Sequence, residues 1–336
     1  MVEVVSDARS CYLEGSTDAY DDVAFARMML LDGCFVLHFI YTVTAVGEVT
    51  FLEELLKFVG RADYRGIVTD IILLENQLPF LVLQALISCT GISAEVKWDE
   101  LIENSIVQYY IDVHTMWTKQ TYKHEVEQPL HLLDLMRRRF LGKYSSTKKA
   151  AVRSSDKVHQ DGQPQPYSSC PPKREHRESN PVKEGYRHSF RSATELKARG
   201  IYFRPSTSFL NDFTFTSRFG YRLLRIPHIS LGYRIKYRLL NMMAYELAPH
   251  TVGNVGVCSY VYFMNSLING AEDVIELGTN NVIHNFYGTD EEVARTFNSM
   301  AAGGAYVSLS GPIKDVSDRI QEHYNSKMKT WTTQLF

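Results

Sequence analysis

The sequence predicts a mainly helical α+β fold, with one helical domain over residues 15–335 that contains a small antiparallel β-sheet. Apolar residues recur at helical spacing on both sides of the middle of the chain, and short alternating segments typical of strands follow residue 200. Hydrophobic residues make up 45% of the chain and charged residues 22%, which is enough for a large core. Residues 142–191 have almost no aliphatic side chains and are predicted to form a flexible basic insert.

The first predicted helix covers residues 19–41. Its apolar residues lie broadly at core spacing: Val23, Phe25, Met28, Leu31, Phe35 and Leu37. Residues 28–47 are also long enough to cross a membrane, but Asp32 and His38 lie inside this segment and would be costly in lipid. A buried core helix is therefore the preferred interpretation.

Residues 70–83, DIILLENQLPFLVL, are the most informative segment of the chain. Pro79 has no backbone N–H and clashes with the carbonyl four residues earlier, so a helix here must kink or restart. The polar residues Glu75, Asn76 and Gln77 need hydrogen-bond partners if they are buried. We predict two helical halves joined by this polar cluster, whose side chains satisfy the freed backbone groups.

The remaining elements follow from spacing and capping residues. Before the insert, helices are predicted at 50–59, 70–89, 101–118 and 129–141. After it, Ser192 and Glu195 form a capping box and Gly200 ends the helix. Strands are predicted at 201–203, 209–215 and 221–229, where Pro227 confines the last strand to a sheet edge or a bulge. The final helices are predicted at 233–247, 257–277, 290–300 and 314–330, the third of them with a capping box at Thr289.

No sequence motif assigns a reaction to this chain. The phosphate-binding motifs G-x-x-x-x-G-K-[ST] and G-x-G-x-x-G are absent, as are G-x-S-x-G and H-E-x-x-H. His124 and His131 lack the partner residues of a metal site. We therefore assign no catalytic, cofactor-binding or metal-binding residue and expect no cofactor. One alternative stays open, in which Asp32 and Glu75, with a histidine such as His38, form an acid/base site.

The cysteines and the N-terminus predict a cytoplasmic protein. The five cysteines are scattered without a C-x-x-C pair, which is typical of reduced thiols: Cys11, Cys34, Cys89, Cys170 and Cys258. The first residues, MVEVVSDARS, lack the pattern of a signal peptide.

The basic residues are concentrated in and before the insert. Residues 142–191 carry a net charge of +6, which leaves −8 for the rest of a chain whose total is −2. A solvated segment is the preferred interpretation, while an anionic membrane surface or an acidic partner is an alternative. A basic run extends from Arg137 to Lys149, but few aromatic residues accompany it and no nucleic-acid-binding motif is present. Nucleic acid is therefore disfavoured as a partner.

Several segments together resemble the plant family known as domain of unknown function 247. They occur in the family order: residues 28–37, 70–83, 131–135, 192–203, 208–215, 226–227, 260–274 and 288–298. Two departures are His38, where an acidic residue is common, and residues 232–234, which replace an acidic turn. The family has no established catalytic residues, so the resemblance transfers none.

The resemblance implies a non-catalytic interaction or signalling protein of the plant cell with a protein partner. It also implies association with the plasma membrane through a C-terminal span, and a relationship to determinants of pollen self-incompatibility in grasses. The chain as given ends at KMKTWTTQLF, which resembles the approach to such a span.

Overall fold

The structure, a computed structural model, describes residues 4–44, 57, 60, 66–89, 98–105, 128–142, 191–206, 209–218, 220–248, 255–286, 288–302 and 308–333. Helices dominate these ranges and pack around a hydrophobic core beside two small sheets, which confirms the mainly helical α+β class. Nearly all of the predicted helix at 50–59, the second half of 101–118 and nearly all of the basic insert at 142–191 lie outside the described residues.

The first part of the chain is helical. Its helices are α1 (Val5–Ser10), α2 (Asp22–Thr44), α3 (Phe80–Cys89), α4 (Trp98–Ser105) and α5 (Leu132–Leu141). A helical turn at 66–70 and a 3₁₀-helix at Leu74–Asn76 precede α3. The chain is extended between the 3₁₀-helix and α3, so the predicted restart of the helix at Pro79 is confirmed.

Helix α2 is a core helix on one side only. Its buried stripe contains Phe25, Met29, Gly33 and Leu37 at four-residue spacing, and this stripe packs against α3. A Cβ at Gly33 would lie inside the side chain of a leucine of α3. The predicted core positions Val23, Leu31 and Phe35 are wrong, because these side chains are 78%, 58% and 47% exposed. The helix is apolar on nearly all sides, so its sequence does not show which side packs inward.

The second part contains the strands and the remaining helices. They are α6 (Ala193–Ala198), β1 (Ile201–Ser206), β2 (Thr214–Arg218), β3 (Tyr221–Pro227), β4 (Ile229–Leu231), α7 (Ile235–Leu247), α8 (Gly256–Leu267), α9 (Ala271–Thr279), β5 (Ile283–Asn285), α10 (Asp290–Ala302) and α11 (Gly311–Thr333). Helix α8 lies at the centre and packs against α5, α7, α10 and α11. Its side chains Tyr260, Phe263 and Met264 have no exposed surface.

The three-stranded sheet is mixed, whereas the sequence predicted an antiparallel one. Its strand order is β1-β3-β2, with β3 parallel to β1 and antiparallel to β2. The chain crosses to the far side of the sheet after β1 because the connection is anchored in the core. Leu210 and Phe213 of this connection are buried, and the Leu210 N–H donates to the carbonyl of Phe140 in α5.

Pro227 does not place β3 at a sheet edge as predicted, since β3 is the central strand. The pairing with β2 ends at Arg225, and only β1 continues to Pro227. On the β2 side Pro227 therefore faces no strand, and its missing N–H interrupts no hydrogen bond there. Strands β4 and β5 form a separate parallel pair.

The single helix predicted at 257–277 is two helices, α8 and α9. The backbone N–H groups of Asn269 and Gly270 donate to Asp273 Oδ2 at 3.0 and 3.3 Å, so the break is stabilised by a side chain of α9. Ile275, predicted as part of the apolar stripe, is 52% exposed.

The predicted capping residues are largely confirmed. Ser192 Oγ accepts from the Glu195 N–H at 3.4 Å, and Gly200 has a φ of +77°. Thr289 and Glu292 form both hydrogen bonds of a capping box at the start of α10. The Glu195 carboxylate does not complete the capping box but lies 3.5 Å from the guanidinium of Arg191.

Candidate functional site

Gln77 connects three segments of backbone. Its Nε2 donates to the carbonyls of Ile71 and Leu73 at 2.9 and 2.8 Å, and its Oε1 accepts from the Leu133 N–H at 2.9 Å. Leu133 lies in the first turn of α5, where backbone N–H groups have no partner within the helix. Gln77 therefore caps a helix that lies 56 residues further along the chain.

The other two polar residues of this cluster face outward. Asn76 is exposed and donates to the carbonyl of Asp70 at 3.0 Å, while Glu75 is also exposed. Their expected burial is wrong, because the 3₁₀-helix turns both side chains towards solvent. The first N–H of this 3₁₀-helix, that of Leu74, donates to Asn241 Oδ1 of α7 at 2.8 Å.

Glu246 caps α8 in the same manner, but with a charged group. Its Oε1 accepts from the Val257 N–H at 3.0 Å and its Oε2 from the Cys258 N–H at 2.8 Å. The N-cap residue of α8, Val255, offers no side-chain acceptor. Arg137 of α5 donates Nε–H to Glu246 Oε1 at 2.7 Å, and both side chains of this pair are buried. One carboxylate thus joins α5, α7 and α8.

The groups around Glu246 are desolvated as well. Burial and the neighbouring Glu246 carboxylate raise the pKa of the Cys258 thiol well above its usual range, so the thiol stays protonated. Burial lowers the pKa of His131 to about 4. A neutral His131 is what the geometry requires, because its Nδ1 accepts from the Asp134 N–H at 3.1 Å as the N-cap of α5.

Asp273 is a third side chain that caps another helix. Its Oδ1 accepts from the N–H and the hydroxyl of Thr194, in the first turn of α6, at 2.9 and 2.8 Å. These hydrogen bonds outweigh its desolvation and lower the pKa of Asp273. Lys197 of α6 also forms an ion pair with Glu276 of α9 at 2.5 Å.

Sequence reasoning missed Glu246, Asp273 and Asn241. For Glu246 a usable signal existed, since a single carboxylate near the end of the apolar segment LNMMAYEL precedes a helix that begins without a capping residue. Pairing that carboxylate with that helix requires their relative positions in three dimensions.

The residues of the acid/base alternative are not assembled into a site. Asp32, His38 and Glu75 are all exposed, and desolvation alone accounts for the raised pKa of Asp32. Burial, with smaller contributions from Cys11 and Asp32, raises the pKa of Tyr12 to about 12. Asp32 and His38 lie six residues apart on α2, which places them about 120° apart around the helix.

The arginines of the predicted basic run belong to the helix packing. Arg137 is buried against Glu246, Arg138 forms an ion pair with Asp134 at 2.7 Å, and Arg139 is 9% exposed. The preferred interpretation of this run as solvated is therefore wrong for Arg137 and Arg139, whereas the Arg138 side chain keeps 29% of its surface exposed. The lysines of the run, at positions 143, 148 and 149, lie outside the described residues.

Two cavities of the described part lie away from these residues. A space of about 10 Å³ between α7 and α10, which can hold a single water molecule, has an almost entirely apolar lining. An open cleft of about 320 Å³ is lined by Phe215, Ser217, Arg319, Glu322 and His323. Over the described ranges, no group of three His, Cys, Asp or Glu residues is placed to hold a metal ion.

One helix of the described part has the length and composition to cross a membrane. It covers Asp22–Thr42 in α2, has a mean hydropathy of 1.7 and is one-third buried. A core helix of a soluble protein meets the same criteria of length and composition.

The whole chain, residues 1–336, matches the family model DUF247, described as plant protein of unknown function. UPF0481 protein At3g47200 of Arabidopsis thaliana is 27% identical over 332 residues, which are 97% of this chain and 64% of that protein. Putative UPF0481 protein At3g02645 of the same plant is 27% identical over 139 residues, 41% of this chain and 26% of that protein. The chain thus spans less than two-thirds of the length of these relatives, and no solved structure matches it. This chain belongs to the DUF247 family of plant proteins.

Proposed function

We propose that this chain is a non-catalytic interaction protein of the plant cell that acts by presenting surfaces to a protein partner. The observation that carries the proposal is the use of its buried and half-buried polar side chains to cap helices. Gln77, Glu246 and Asp273 all give their oxygens to backbone N–H groups at the starts of helices. A general acid or base must instead reach a reacting group, and these oxygens are occupied by the fold itself.

The outward side of α2 supports the proposal of a partner surface. Val23, Leu30, Leu31 and Phe35 are 78%, 40%, 58% and 47% exposed, and all four belong to this one helix. Neighbouring exposed apolar side chains are typical of surfaces that contact another protein. We call these four residues the α2 face.

The family resemblance supports two finer parts of the proposal. The first is a position on the cytoplasmic side of the plasma membrane, with the basic residues 142–191 next to anionic headgroups. The second is a role in recognition events such as pollen self-incompatibility. The first part predicts that the protein co-sediments with phosphatidylserine vesicles and that salt releases it; no co-sedimentation at low salt would remove it.

The experiment that tests the partner surface compares two double variants in affinity capture. The chain, the α2-face variant Leu31→Gln/Phe35→Gln and the control variant Tyr237→Gln/Ile275→Gln are immobilised and exposed to pollen or leaf extract. The control side chains are similarly exposed, at 55% and 52%, but lie on α7 and α9. We expect a partner that the wild type and the control retain and that the α2-face variant loses by at least about tenfold, since two apolar contacts are removed.

The captured partner is then produced as a recombinant protein and its affinity for the three chains is measured. Equal affinity for all three would contradict the α2 face as the docking surface. No retained partner in repeated captures at high sensitivity would contradict the proposed function itself.

A further inference from the structure

The outer face of the three-stranded sheet is a separate surface with its own chemistry. Strands β1, β2 and β3 direct alternate residues away from the core, where Phe203, Phe215 and Leu224 are buried. We call the outward set the tyrosine–arginine face, and it consists of Tyr202, Arg204, Thr214, Thr216, Arg218, Tyr221, Leu223 and Arg225.

Two tyrosines form an exposed aromatic platform on this face. The rings of Tyr202 and Tyr221 stack with centroids 5.6 Å apart and an interplanar angle of 13°. They remain 49% and 52% exposed, so part of each ring is open to solvent. A sheet that buries one side and leaves aromatic rings on the other offers those rings for stacking with a ligand.

The arginines of the face lie side by side without a compensating charge. Arg204 and Arg225 are register partners on neighbouring strands, about 4.8 Å apart, and Thr214 is the partner of Arg225 on its other side. The three strands contain no carboxylate. In the described part of the chain the side chains of Arg204, Arg218 and Arg225 have no ion-pair or hydrogen-bond partner. Like charges at directly opposed positions oppose sheet formation, and an anion bound between them would relieve that repulsion.

The two features are spaced for one kind of ligand. The row formed by Arg204, Arg225 and Thr214 lies two residues along the strands from Tyr202, a distance of about 7 Å, and four residues from Tyr221, about 13 Å, whose ring stacks on that of Tyr202. Two guanidinium groups and a hydroxyl are suited to a phosphate, and the tyrosines are suited to the flat base attached to it. We propose that the tyrosine–arginine face binds single-stranded nucleic acid.

Single strands fit this face better than the alternatives do. The bases of a duplex are stacked on each other and cannot reach exposed rings, whereas an unpaired strand can place its bases on an aromatic platform. An extended peptide is recognised mainly along a free strand edge or in a groove. The tyrosine pair lies on the open face of the sheet instead. The net charge of −2 for the whole chain is no obstacle, because the charge of this face is local.

The proposal is independent of the partner surface on α2 and of the basic residues 142–191. The test uses fluorescence anisotropy with the full chain and a labelled oligouridine of about 12 nucleotides, a length within the range of known single-strand sites. We expect saturable binding at about 50 mM salt that weakens steeply towards about 200 mM.

Two substitutions on the face separate the roles of its groups. Tyr221→Ala should weaken binding by about tenfold through lost stacking, with the salt dependence unchanged. Arg225→Gln should weaken binding by about fivefold and reduce the slope of log K against log salt by about 0.7. The matched controls are Tyr237→Ala on α7 and Arg295→Gln on α10, both exposed and away from the sheet, which should bind like the wild type.

Three outcomes would overturn the proposal. The first is the absence of binding at low salt. The second is equal binding by the wild type and both face variants, which would locate the affinity elsewhere, for example in residues 142–191. The third is equally tight binding of a labelled oligoglutamate peptide that Tyr221→Ala does not weaken, which would show an unspecific basic patch. Melting temperatures within about 2 °C of the wild type establish that each variant is folded.

Discussion

Gln77 and Glu246 both satisfy backbone N–H groups that have no partner within their own helix, Gln77 with a neutral amide and Glu246 with a carboxylate. Each side chain accepts hydrogen bonds from the first turn of a helix that is distant along the chain, α5 for Gln77 and α8 for Glu246. Gln77 is a neutral amide at the edge of the core, and it also donates to two carbonyls of its own segment. Glu246 is a fully buried carboxylate and is matched by the guanidinium of Arg137.

The two side chains differ in what remains unpaired when each of them is removed. A neutral amide loses hydrogen bonds when it is removed, but it leaves no charge behind. Removal of a buried carboxylate leaves both the helix N–H groups and an uncompensated arginine in the core. The charged arrangement should therefore be the more fragile of the two, although both contain hydrogen bonds of similar length.

Substitution of Glu246 should have the largest effect on stability. Glu246→Ala is expected to lower the free energy of unfolding by about 3–5 kcal/mol, because Arg137 stays buried without its partner. Urea unfolding followed by circular dichroism measures this change. The control Glu272→Ala removes an exposed carboxylate of α9 and should change the stability by less than about 0.5 kcal/mol. Similar losses for the two variants would refute the role given to Glu246.

Substitution of Gln77 should have the second largest effect. Gln77→Ala removes three hydrogen bonds to backbone groups and is expected to cost about 2–3 kcal/mol of unfolding free energy. The neighbouring Asn76→Ala removes one exposed hydrogen bond and should cost less than about 1 kcal/mol. If the two variants unfolded at the same urea concentration, Gln77 would not be the residue that joins the segments.

The stability of the helix that Gln77 caps should depend on pH through His131. Burial lowers the pKa of His131 to about 4 in the folded chain, below its ordinary value of 6.5, so the unfolded chain binds more protons between these values. The contribution of a neutral His131 is therefore complete above about pH 6.5 and is lost as the pH falls towards 4.

Unfolding free energies at pH 7 and pH 4.5 test this dependence. We expect the wild type to lose about 1–2 kcal/mol more than His131→Asn, which keeps a capping acceptor but does not titrate in this range. The comparison is made as a difference because burial and the neighbouring His284 also lower the pKa of His228 to about 4. Parallel curves for the two chains would contradict a buried neutral His131.

Labelling of the Cys258 thiol shows whether the core around Glu246 stays closed in the folded chain. Of the four substitutions, that of Cys258 is expected to have the smallest effect. Cys258 is buried and its pKa is raised, whereas Cys11, Cys34 and Cys89 are exposed. A thiol reagent should therefore label the folded wild type and Cys258→Ala to the same extent, and should find one thiol fewer in the variant after denaturation. Rapid labelling of Cys258 in the folded chain would show that this part of the core opens easily.

The sequence predictions were right where a feature depends on residues close together along the chain, and wrong where it depends on residues far apart. The capping roles of Ser192 and Thr289, the glycine at 200 and the restart at Pro79 depend on residues within a few positions, and all were predicted. The exposed side of α2 was assigned to the core, because a helix that is apolar all round does not indicate where its neighbours lie. The arginines at 137–139 were interpreted as part of a solvated segment, because the carboxylate that pairs with Arg137 lies 109 residues away along the chain.

The sequence by itself determined the family, the mainly helical class and most local starts and ends of the elements, since these depend on short-range chemistry. Only the tertiary structure decided which carboxylate or amide completes which helix, that β1 joins β3 in parallel, and that two tyrosines and three arginines share one open sheet face. Those pairings bring together groups from distant parts of the chain. Their geometry is set by how the helices pack, and no local spacing records it.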